Sequence, residues 1–114
     1  MDNQKPIYHK MDKNKFNEIL SKAEEQLVAS RHALSYYFAE KPEHLEAIVL
    51  ICDILSINHR LIKEMSKIKE TTKSEEDKIW ISEDEVILLE SAVLAKAYTL
   101  IELKKIGYVT VSTH

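Results

Sequence analysis

A single glycine, two prolines and one cysteine in 114 residues remove most of the ways in which a chain of this length could be built. With so little turn chemistry, the many tight reversals of an all-β fold cannot be made, which leaves long elements joined by few connections. The lone Cys52 has no partner for an internal disulfide, and its place in an apolar run is that of a small, reduced, buried thiol. No apolar run approaches a membrane span: the longest, Ala47 to Cys52, is far short of the ~20 residues required. The N-terminal MDNQKPIYHKM lacks the apolar stretch of a secretory signal, so a cytoplasmic protein is expected.

Nor is one sign of charge in excess. Sixteen Lys and Arg stand against nineteen Asp and Glu, a formal −3, with none of the basic surplus that a general polyanion binder needs. Nucleic acid is therefore not an expected partner. The five histidines form no HExxH and no pairing with cysteine, and no two lie three or four residues apart on one helix, so no metal is assigned. A Gly-rich phosphate loop cannot be written with one glycine. No cofactor and no catalytic residue is assigned, and the chain is read as a non-enzyme.

What is present is a balance of 45% apolar and 31% charged residues, which is that of one folded domain. The richness in Ile, Lys and Glu is the composition of a bacterial or phage protein from an AT-rich genome. Residues 1–11 carry no period and are expected to form a flexible arm. From a cap at Asp12 or Asn14, Phe16, Leu20, Ala23, Leu27, Leu34 and Phe38 recur at three- and four-residue steps, which predicts a helix over about 13–39. Pro42 ends it and suits the first turn of a second helix, about Pro42 to Lys69, so the two form a short antiparallel hairpin. The first half of that second helix, LEAIVLICDILSI, is apolar on nearly every side, as in a helix covered all round.

After the polar segment 70–78, Ile79-Trp80-Ile81 reads as a short extended piece. Ser82 and Glu85 then form a capping box, with Ile81 placed to staple against Val86 or Ile87. The third helix runs to Ile106, and Gly107 suits its left-handed C-cap. The domain is thus expected over 12–107. The tail 108–114 alternates like a strand and could pair with Lys78 to Ile81 or with the tail of a second chain. The fold class is all-α, a bundle of three long helices.

Helices of about 25 residues are nearly 40 Å long, and three of them leave one face of each wet. Apolar residues on the second and third helices extend beyond a single stripe, which predicts completion by a homodimer or higher oligomer. Ile48, Ile51, Leu55, Leu88, Leu89, Val93 and Tyr98 are the candidate interface. Counting outward from the turn at Pro42 sets Arg31 level with Cys52 and Asp53, which predicts a buried Arg31–Asp53 pair or a ligand pocket on Arg31 with His32 or His59 nearby. Tyr36, Tyr37, Phe38, Trp80, Tyr98 and Tyr108 are expected to gather at an end of the bundle. Two functional readings follow. One is a non-enzymatic interaction protein of regulatory, inhibitor or adaptor type, acting on itself or another protein. The other is a small-ligand or nucleotide-binding oligomer with a pocket between helices or subunits.

Overall fold

In the computed structural model, residues 7–71, 74, 75 and 77–107 are described. Six elements follow in order: β1 (Tyr8–Asp12), α1 (Lys13–Glu40), α2 (Leu45–Thr71), β2 (Ser74–Glu75), β3 (Lys78–Ser82) and α3 (Glu83–Lys105). The three-helix architecture is the expected one, and it carries in addition a small antiparallel sheet in the order β1-β3-β2. No helix among the described residues is long and apolar enough to cross a membrane.

Of the flexible arm expected over 1–11, residues 8–11 lie in β1, and residues 1–6 lie outside the described residues. Tyr8 pairs with Ser82 and Asp12 with Lys78. The strand YHKMD shows no alternation of its own, and only Met11 in it is half-buried, so it exists because β3 offers an edge. In β3 the period is clear: Ile79 and Ile81 are buried, while Trp80 lies on the opposite side with the Lys10 ammonium 4.9 Å from its ring centroid. β1 occupies one edge of β3 and β2 the other. The proposed pairing of the tail 108–114, and the position of Tyr108, lie outside the described residues.

Two of the helices start directly from strands. Asp12 stands at the cap of α1, but its carboxylate pairs with the Lys78 ammonium, and the Lys13 amide instead donates to the Asp77 carbonyl at 2.8 Å. At α3 the capping box is complete: the Glu85 amide donates to Ser82 Oγ at 3.3 Å, and the Ser82 amide to Glu85 Oε1 at 3.0 Å. Gly107 ends α3 at φ +93°, a conformation that any side chain would strain. α2 begins at Leu45 rather than Pro42, because Pro42 and Glu43 form the turn.

α1 runs away from the sheet, α2 returns, and α3 runs away again. Because β1 and β3 are antiparallel, α1 and α3 leave from opposite ends of a five-residue strand pair, about 16 Å apart. Each packs on α2, and the two make little close contact with each other. The core is in two parts. Phe16, Ala23, Leu61, Met65, Ile68 and Leu89 pack with Ile79 and Ile81 near the sheet. Tyr37, Ala47, Ile48, Ile51, Ile54 and Leu103 pack near the α1–α2 turn.

Ser82→Ala is expected to lower unfolding free energy by about 1 kcal/mol, since it removes the side-chain acceptor of the Glu85 amide while the reciprocal bond, from a backbone amide, keeps both its groups. Urea unfolding followed by circular dichroism checks this.

Candidate functional site

The structure does not form the pocket expected from sequence. Arg31, Asp53 and His59 are all exposed, and among the described residues no ion pair joins Arg31 to Asp53. The difference lies in rotation about the helix axes. In each helix the core position is the neighbouring residue, Ser30 or Ile54, and one residue turns a helix by about 100°. Cys52, expected inside, is exposed for the same reason. The α2 segment expected to be covered all round buries only Ala47, Ile48, Ile51 and Ile54, leaving Leu45 and Val49 open. Of the candidate interface residues, Ile48, Ile51 and Leu89 belong to the core of the chain itself. Leu55 and Leu88 are half-buried, and Val93 and Tyr98 are exposed. The aromatics do not gather. Tyr37 stacks edge-on with Tyr36 near the turn, Trp80 sits in the sheet at the other end, and Tyr98 lies on the outside of α3.

Between the two core clusters lies a polar layer that sequence reasoning missed. Asn58 is fully buried in α2, and Lys96, 6% exposed, reaches it from α3 with a 3.0 Å bond from Nζ to Oδ1. Asn58 Nδ2 in turn donates to the Ile54 carbonyl at 2.9 Å. α1 contributes the buried Gln26 and Ser30, and the Gln26 Oε1 has no hydrogen-bond partner among the described residues. No ion pair among the described residues includes Lys96. Burial, with a smaller repulsion from Lys22, holds its ammonium down to about 8. A signal existed: Lys96 is the only charge between Glu90 and Glu102.

The outside of α3 is the second feature. Ile87, Leu94, Tyr98 and Ile101 are 54%, 71%, 67% and 52% exposed. With Ser91 and Lys105 they recur at alternating steps of four and three, the spacing of a coiled-coil seam. α3 carries a second seam of the same period on its inner side, through Glu85, Leu89, Ala92, Lys96, Thr99 and Leu103, each buried or half-buried. Beside the outer seam, a groove of about 430 Å³ runs between α2 and α3. Ile57 and Leu61 line it from α2, and Leu88, Ala92 and Ala95 from α3, with Arg60 and Asp84 among its walls. Its lining is mostly apolar, and among the described residues no group of three or more His, Cys, Asp or Glu could hold a metal ion. Binding an apolar knob is what such a surface can do.

Comparison with known proteins gives no match: no family model fits the chain, and no curated protein or solved structure is significantly similar to it.

The depressed ammonium of Lys96 has a definite consequence. The ordinary lysine value is 10.5, so between about pH 8 and 10.5 the unfolded chain binds more protons than the folded one, and stability rises with pH. Below that window the ammonium is charged in both states and its burial penalty is fully present. Lys96→Met should flatten this rise, seen as the difference between parent and variant in urea midpoints measured from pH 7.5 to 10.

Proposed function

We propose that this protein is a non-enzymatic interaction protein of regulatory or adaptor type that works as a homo-oligomer, with the outer face of α3 as its assembly surface. The observation that carries the reading is the bare seam of Ile87, Leu94, Tyr98 and Ile101. Scattered apolar residues on a surface need no explanation, but a stripe at heptad spacing along one helix is the pattern of a helix with a missing neighbour. Full burial of each such side chain contributes roughly 1.5–3 kcal/mol, so covering the seam would add several kcal/mol that the monomer leaves open. The groove beside it, lined by Leu88, Ser91 and Ala95 of α3, extends the same surface onto α2 through Ile57 and Leu61.

The reading excludes a role as a lone monomer and is tested on that point. Size exclusion with light scattering should give at least twice the chain mass of 13.2 kDa at micromolar concentration. Leu94→Glu, which sets a carboxylate in the middle of the seam, should return the mass to that of one chain with the helical circular dichroism of the parent. A parent that stays monomeric at tens of micromolar would overturn the self-assembly reading and leave the seam for a heterologous helix.

A further inference from the structure

We infer that the occupant of the α3 seam is α3 of a second copy, packed antiparallel with a twofold axis level with Lys96, and that pairing of Glu90 with the partner's Lys104 sets the register. This rests on the self-assembly reading and adds orientation and register to it.

The first observation is the distribution of charge along α3. Its first turn carries Glu83, Asp84 and Glu85, followed by Glu90, and its last turn carries Lys104 and Lys105. A parallel pair would place carboxylates against carboxylates at one end and ammonium against ammonium at the other. An antiparallel pair opposes unlike charges at both ends and also opposes the helix dipoles. A surface that is its own complement under a twofold rotation is what a symmetric dimer requires.

The second observation is the seam itself. In antiparallel packing, residues equidistant from the axis share a layer. With the axis level with position 96, Leu94 meets the partner's Tyr98, Ser91 meets the partner's Ile101, and Ile87 meets the partner's Lys105. Each pairs a large side chain with a complementary one, and the small Ser91 receives a branched one. On the flank facing away from the groove, side positions pair across the layers rather than within them, so Glu90, six residues before the axis, faces the partner's Lys104, eight residues after it, twice per dimer. Next to the axis the flanking residues are Ala95 and Ala97, small enough for the helices to approach closely.

The groove fits this placement. Asp84, Ile87, Leu88 and Ser91 stand at positions i, i+3, i+4 and i+7, the four corners of a knob-accepting hole, and all four line the groove. The partner's Lys105 arrives level with Ile87, its aliphatic stem over this hole and its ammonium toward Asp84. The partner's Ile101 arrives level with Ser91 at the groove edge.

Orientation and register can be read separately from association. A nitroxide on Glu83→Cys in a Cys52→Ser background lies far from the axis. The antiparallel dimer gives a label separation of about 40 Å by double electron–electron resonance, and a parallel dimer gives less than about 20 Å. Glu90→Lys should weaken dimerisation about tenfold at low salt, and Glu90→Lys with Lys104→Glu should restore it. A dimeric parent with the short distance, or a charge swap that fails to restore association, overturns the antiparallel arrangement while the self-assembly reading stands. A parent that is monomeric by light scattering overturns both.

Discussion

The interaction on which the arrangement of this bundle depends is the bond from the Lys96 ammonium to the Asn58 amide oxygen. Apolar cores are permissive about sliding, since one Ile or Leu can replace another a turn away. A buried ammonium is not. Moved by one turn of α2, Lys96 would face Ile54 or Leu61, and a charge left among aliphatic side chains costs several kcal/mol. The polar layer thus fixes the height of α3 on α2 more firmly than the clusters on either side of it. It achieves this without a counter-charge, which is why burial lowers the affinity of Lys96 for its proton. The Gln26 Oε1, buried in the same region and without a partner among the described residues, adds to the impression of a layer kept for specificity at some loss of stability.

A second constraint acts through the sheet. Most three-helix bundles close into a triangle in which each helix covers the other two. Here α1 and α3 grow without a linker from two antiparallel strands, so their first turns are held a strand's length apart. α2 fills the space between them, and α3 is left with α2 and the sheet as its cover. The short strands therefore account for the bare outer face of the third helix. The two strand-to-helix junctions are themselves tied across the sheet, by the Asp12–Lys78 pair at one end and by the His9–Glu83 bond of 3.1 Å and the Glu83 amide to the Ile7 carbonyl at the other.

These two constraints also mark what could be read from the chain. Features set by neighbours in sequence were legible: the capping box at Ser82, the turn at Pro42, the glycine after α3 and the approximate extent of every helix. Features set by partners distant in sequence were not. β1 has no period of its own and is a strand only because β3 lies beside it. Arg31 and Asp53 are charges within apolar stretches, and a register that sets them level is compatible with the observed hairpin. Their rotation about the helix axis, however, depends on which flank of α2 receives α3, which is settled by the sheet. With α3 in place, Asn58 and Lys96 turn inward and Asp53 turns out. The apolar excess of α3 was legible as residues on every side, but its resolution into two seams needed the neighbour that covers one of them.

Those two seams bear on how α3 is held. Its inner seam buries two large apolar side chains, Leu89 and Leu103, with Ala92 between them and Lys96 and Thr99 contributing polar atoms. Its outer seam carries four large apolar side chains. At roughly 1.5–3 kcal/mol for each large side chain fully buried, the face turned away from the chain's own core can contribute on the same order as the face turned toward it, where Val86 and Leu100 also pack half-buried on the two clusters. Ordering a helix of 23 residues opposes both, at about 1–2 kcal/mol per residue in backbone entropy, and hydrogen bonds along the helix offset this only in part. α3 is consequently the helix whose order in an isolated chain is least secured by internal contacts. On the assembly proposed above, a second copy supplies the missing contacts, so that docking of α3 on α2 and pairing of the two chains become linked equilibria, and the stability of the third helix becomes a function of protein concentration.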